Sequence, residues 1–174
     1  MDSAIKNSSQ TTGALVVMGV AGCGKSSLGA ACAERLGWRL IEGDDYHSAE
    51  AVAKMRSGTP LTDADRAGWL DRLGALLQAE PGGAVLTCSA LRKTYRERLR
   101  AAVPGLRFAF LDLPQAVAEA RVAARPGHLF PASLVASQFA TLERPSGEDG
   151  VLDLDATQPI TQLVDDIAAW LQAR

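Results

Sequence analysis

The sequence predicts an α/β fold, a five-stranded parallel sheet with helices on both faces. Two observations carry the prediction. From Ala14 onward, short apolar runs alternate with longer stretches of helical periodicity, the pattern of βαβ units. The first apolar run also leads through a glycine-rich segment, Gly19 to Gly24, directly into a helical pattern. The 174 residues are 47% hydrophobic and 22% charged, enough apolar material for one core and unlike a disordered chain.

Taken in order, Met1 to Thr12 is polar and reads as a flexible leader before a single domain over residues 13–174. The expected strands are Ala14 to Met18, Arg39 to Glu42, Ala84 to Cys88, Arg107 to Leu113 and Val151 to Asp155, each short and mostly apolar, as buried parallel strands are. Lys25 to Leu36 reads as a helix ended by Gly37. Thr62 to Gln78 reads as a helix capped by Thr62, with Asp65 in the place of the usual Glu of a capping box, and it stops near Pro81-Gly82-Gly83. Leu91 to Ala102 stops before Pro104, Pro114 opens a helix running to Ala124, and Pro159 opens the last one. The stripe of Leu163, Ile167 and Trp170 has the spacing of a core-facing helix side.

Net charge is -2, so no global field draws the molecule to nucleic acid or an anionic membrane. No apolar run is long enough to span a bilayer, and the polar first residues do not have the form of a secretory signal. Cys23, Cys32 and Cys88 are odd in number and lack CxxC spacing, which argues against a disulfide framework or a zinc site. A cytoplasmic protein is expected.

Gly19, Val20, Ala21, Gly22, Cys23, Gly24, Lys25 and Ser26 satisfy GxxxxGK[ST] between an expected strand and an expected helix. Glycines allow successive backbone N–H groups to turn inward, the helix N-terminus adds positive potential, and the lysine reaches the β and γ phosphates. The pattern implies a nucleoside triphosphate site, with ATP as co-substrate, Ser27 completing the nucleotide-binding set, and the Ser26 hydroxyl as a ligand of Mg²⁺. Cys23 is either an activated thiol at a helix N-terminus or a small residue inside the loop.

Glu42-Gly43-Asp44-Asp45-Tyr46-His47 follows the second strand at the end where parallel sheets bind ligands. A carboxylate there can orient an acceptor hydroxyl and take its proton, which makes Asp44 the candidate base; the alternative is that Asp44 and Asp45 cap a following helix. His47 has no partner histidine at metal-ligand spacing and reads as a hydrogen-bonding group or an ordinary loop residue.

Beyond the loop, the chain resembles the gluconokinases, relatives of shikimate and nucleoside monophosphate kinases. The resemblance lies in Met18 to Ser26 (MGVAGCGKS), Gly43 to His47 (GDDYH), Lys54 to Trp69 (KMRSGTPLTDADRAGW), Cys88 to Arg96 (CSALRKTYR), Arg125 to Phe130 (RPGHLF) and Ser137 to Leu142 (SQFATL). Ser48, Ala51 and Gly68 depart from the family's usual Pro, Asn and Pro. The resemblance implies a three-layer P-loop kinase fold with a small lid over about residues 122–137, and ATP-dependent phosphorylation of D-gluconate at its 6-hydroxyl.

It also implies roles. Lys25, Asp44 and Arg125 would be catalytic, and Arg121, Gln158 and Pro159 would join the nucleotide site, the last two on the loop that packs on adenine. Asp44, His47, Arg66, Ser89, Lys93, Arg96 and His128 would bind the substrate. Lys93 and Arg96, three apart on one expected helix, are cations suited to a sugar-acid carboxylate or the incoming phosphate. The family further implies a homodimer. Two other readings stand beside this one: a P-loop kinase of another small acceptor, such as shikimate, a different sugar acid or a nucleotide, and a non-catalytic ATP-binding switch.

Overall fold

A computed structural model describes residues 13–125 and 134–173. Its strands are β1 (Ala14–Met18), β2 (Arg39–Glu42), β3 (Ala84–Thr87), β4 (Arg107–Asp112) and β5 (Val151–Asp155). All pairings are parallel and the spatial order is β2-β3-β1-β4-β5. The helices are α1 (Lys25–Leu36), α2 (Ala49–Arg56), α3 (Asp63–Gln78), α4 (Lys93–Ala102), α5 (Gln115–Ala123), α6 (Val135–Thr141) and α7 (Ile160–Gln172).

Side-chain alternation along β1 separates two cores. Leu15 and Val17 face a cluster with Leu28 and Cys32 of α1 and Leu163 and Ile167 of α7. Val16 and Met18 face the opposite layer, with Leu70 and Leu73 of α3 and Leu99 of α4. Because central strands bury both faces, β1 and β3 are apolar almost throughout, which is why they were legible as short hydrophobic runs. α1 therefore leaves β1 over one face while α4 leaves the neighbouring β3 over the other. That divergence opens a crevice at the C-terminal ends of the two strands.

β1, β2, β5 and α1 have the expected bounds, while β3, β4, α3 and α4 differ from expectation by a residue or two at one end. α4 begins at Lys93 and not Leu91, because Leu91 is buried and its carbonyl accepts the Glu143 N–H. The capping box of α3 is present: Thr62 Oγ1 accepts the Asp65 N–H at 3.2 Å and Asp65 Oδ2 accepts the Thr62 N–H at 2.8 Å. Three short elements were not delimited in the sequence, namely α2, α6 and a 3₁₀ turn over Gly43–Tyr46. The last contains Asp44 and Asp45, while the cap of α2 is Ser48, whose hydroxyl accepts the Ala51 N–H at 3.1 Å. Asp44 and Asp45 are therefore not the cap of the following helix.

Candidate active site

The glycine-rich loop takes its shape from residues that tolerate positive φ. Gly22 has φ 82°, and a Cβ there would stand 2.9 Å from the Ala118 carbonyl oxygen; Gly24, with φ 94°, ends the loop as the N-cap of α1. No side chain caps α1 and its first turn holds no acidic residue, so its N-terminal amides have no built-in anion. Lys25 Nζ folds back to donate to the carbonyls of Gly19 and Val20, both at 3.0 Å. Cys23 is 2% exposed inside the loop, which supports its reading as a small packing residue.

Ser26 Oγ donates to Glu42 Oε2 at 3.1 Å, and Thr87 Oγ1 donates to the same oxygen at 2.6 Å. Glu42 thereby ties the end of β2 to β3 and to the first turn of α1. A hydroxyl and a carboxylate oxygen at this spacing are the hard donors that Mg²⁺ takes. Glu42 was not singled out from sequence, because at a strand end it reads as the polar stop of a hydrophobic run.

Across the crevice, the 3₁₀ turn presents Asp44, which is exposed, and His47, whose side chain is 4% exposed. His47 Nε2 lies 3.6 Å from Asp44 Oδ1, while the buried Nδ1 has no hydrogen-bond partner among the described residues. Trp69 supports the turn from α3, and Arg66, one helical turn earlier, donates to the Leu61 carbonyl at 2.7 Å and to Tyr95 Oη at 3.3 Å. Ser89 follows β3 on the same rim, next to Ala90, whose φ of 47° puts a non-glycine residue in the left-handed region.

One cleft is lined by Lys25 and Ser26 from the loop, by Asp44, His47, Arg66 and Ser89 from the opposite side, and by Arg125 at its edge. The loop residues Ala21, Gly22, Gly24 and Ser27 line it as well, as do Trp69 and Gln138. Arg121 lies against the loop from α5, donating to the Gly22 carbonyl at 3.3 Å. Gln158 and Pro159 are exposed on the loop after β5, at the same end of the sheet but outside the cleft lining. His128 and the central half of the expected lid, residues 126–133, lie outside the described residues, as does the leader.

Two expected substrate residues are not brought together. Lys93 is exposed in the first turn of α4 and does not line the cleft. Arg96 is fully buried: its Nε and Nη2 donate to the two carboxylate oxygens of Glu148 at 3.0 and 2.6 Å, Nη2 also to the Glu143 carbonyl and Nη1 to the Ala90 carbonyl. The expectation that Arg96 binds substrate is therefore corrected. Its guanidinium is committed to buttressing the strained turn beside Ser89, a role that helical spacing cannot reveal.

Trp69 and Gln138 were likewise not given site roles from sequence. A tryptophan at helical spacing reads as core, and a glutamine on a short helix carries no distinctive spacing. Among the described residues no group of three or more metal-ligating side chains is found, and no helix is long and apolar enough to cross a membrane.

Comparison with known proteins accords with this geometry. The AAA domain family model matches residues 15–145. A gluconokinase of Gluconobacter oxydans (strain 621H) is 43% identical over 162 residues, covering 91% of each chain. The crystal structure of a gluconokinase from Sinorhizobium meliloti 1021 superposes with a TM-score of 0.81 at 41% identity, covering 93% of this chain and 98% of that one. An unliganded sugar kinase from Janibacter sp. HTCC2649 gives a TM-score of 0.87, also at 41% identity, over 92% of this chain and 94% of that one. With the loop, the acidic turn and the opposed arginines gathered at one crevice of a 2-3-1-4-5 sheet, and with relatives this similar over nearly the whole chain, the protein belongs to the gluconokinase family of P-loop kinases.

Proposed function

We propose that the protein transfers the γ-phosphoryl group of ATP to the 6-hydroxyl of D-gluconate. The observation that carries this reading is the opposition, within one cleft, of a phosphate loop bearing Lys25 to an acceptor wall bearing Asp44, His47, Arg66 and Ser89. The gluconokinase names of its relatives supply the acceptor.

On the donor side, the loop amides and the uncapped start of α1 receive the β and γ phosphates, and Lys25 exchanges its loop carbonyls for phosphate oxygens. Ser26 and Glu42 are the residues that would hold Mg²⁺, which when bound neutralises charge on the β and γ oxygens. Arg125, at the cleft edge, offsets the charge on the transferring group, and Arg121 acts through the Gly22 carbonyl it already holds.

On the acceptor side, Asp44 accepts the proton of the 6-hydroxyl as the hydroxyl oxygen bonds to the γ-phosphorus. The bond from that phosphorus to the β–γ bridging oxygen breaks, and its electron pair leaves with ADP. Arg66 supplies the positive charge a sugar-acid carboxylate needs, while Ser89 and His47 offer hydrogen bonds to its hydroxyls. A homodimer in the cytoplasm completes the proposal, its state to be read from the mass of the protein in solution. The deciding experiment is ATP consumption measured across gluconate, shikimate, nucleoside monophosphates and related sugar acids. Gluconate-dependent turnover is expected, and its absence rejects the proposal.

A further inference from the structure

We infer that Gln138 is a second phosphoryl-binding side chain of the donor site, holding the phosphate loop with its amide oxygen and reading the γ-phosphoryl group with its amide nitrogen. Gln138 lies in α6, is 8% exposed, and accepts the Ala21 N–H on Oε1 at 2.6 Å. A backbone N–H can be matched only by an acceptor, so the oxygen end of the amide is committed to the loop. The other end is an NH₂ group, a neutral donor.

The position of this donor matters. Gln138 shares the wall of the cleft with Gly22, Lys25 and Arg125, groups placed to meet the terminal phosphate. A neutral amide adds a directional hydrogen bond there without the desolvation cost of burying a further cation. The oxygen end also prevents the amide from turning over, since a flip would set NH₂ against N–H at Ala21.

A second contact shows that the loop is gripped from two helices at consecutive residues. α6 holds Ala21 through Gln138, while α5 holds Gly22 through Arg121 and through the close approach of the Ala118 carbonyl. α5 and α6 pack on one another. Contact between a γ-phosphoryl oxygen and Gln138 would thus be felt at the same two loop residues that α5 and α6 hold.

The inference rests on the ATP reading of the cleft, and calorimetric titration can separate the two. ADP and the non-hydrolysable ATP analogue AMPPNP, each with Mg²⁺, are titrated into the wild type, Gln138→Glu and Gln138→Met. Gln138→Glu keeps an acceptor for Ala21 but replaces the donor with a negative oxygen; Gln138→Met removes both ends at similar volume. The preference for AMPPNP over ADP should fall by about 10-fold or more in both variants, the size of a hydrogen bond to a charged group. A smaller fall in Gln138→Glu, including equal weakening of both nucleotides, makes Gln138 a loop anchor alone and overturns the inference. If the wild type binds neither nucleotide, the ATP reading itself fails. Retained cooperative melting by circular dichroism confirms that each variant is folded.

Discussion

The indole of Trp69 stacks on the imidazole of His47, with ring centroids 4.1 Å apart and planes 18° apart, and its Nε1–H donates to the Gly43 carbonyl at 2.8 Å. These contacts fall on either side of Asp44, so one residue of α3 clamps both flanks of the acidic turn. Gly43 is essential to the fit: a Cβ there would stand 2.3 Å from the Thr87 carbonyl oxygen.

Trp69→Phe keeps a stacking ring and loses the indole donor. Its kcat is expected to fall by about 10-fold through the lost orientation of Asp44, with the KM for ATP changed by less than about 2-fold. Steady-state kinetics varying each substrate in turn measures the split. An unchanged kcat would show that the clamp serves the fold alone.

Asp44→Asn preserves size and polarity but removes the proton acceptor. Turnover is expected to drop by about 10²-fold or more while nucleotide affinity is preserved, since Asp44 stands on the acceptor wall. Near-normal turnover in this variant would remove Asp44 from the role of base.

Arg96→Met strips the largely buried Glu148 of its bidentate partner and leaves it the single hydrogen bond from Arg100 at 3.0 Å, so the loss is expected to be about 2–3 kcal/mol, below that of a fully unpaired buried charge. Burial opposes ionisation of Glu148, yet the hydrogen bonds from Arg96 and Arg100 outweigh it and hold its carboxyl below the usual glutamate range. Urea unfolding of the single variant and of Arg96→Met with Glu148→Met tests this. The double variant is expected to recover part of the loss, because no incompletely paired carboxylate is then left largely buried.

The Asp65 carboxyl is lowered from 3.8 to about 2, first by its hydrogen bonds from Lys54, at 2.9 Å to each oxygen, and then by the Thr62 backbone N–H. A depressed carboxylate stabilises the fold above its unfolded pKa and loses that contribution as pH falls through the folded value. The melting-temperature gap between wild type and Asp65→Asn is therefore expected to be constant near neutrality and to close as pH falls from 3.8 to about 2. A gap independent of pH across that window would refute the ionic contribution.

What could be read from the chain alone followed local rules. β1, the glycine loop and α1 were legible together, because strand burial, positive-φ glycines and a lysine at a helix start all act within a dozen consecutive residues. The capping box of α3 was legible for the same reason, since its two hydrogen bonds join residues three apart. α2 and α6 were not, because helices of eight and seven residues show too few turns to display a period.

The site was divided in the same way. Lys25, Asp44, His47, Arg66 and Ser89 could be named from motif and family resemblance, yet Arg96 came from the same block and proved to be a buried brace. Its partner Glu148 lies 52 positions along the chain, and Glu42 meets Ser26 and Gln138 meets Ala21 only after β2, α1 and α6 have packed. Periodicity and motif determine which residues face the core and which chemistry the loop carries. Tertiary packing alone decided which cations reach the cleft, because a side chain's partners across distant segments exist only once the sheet and its helices have closed around them.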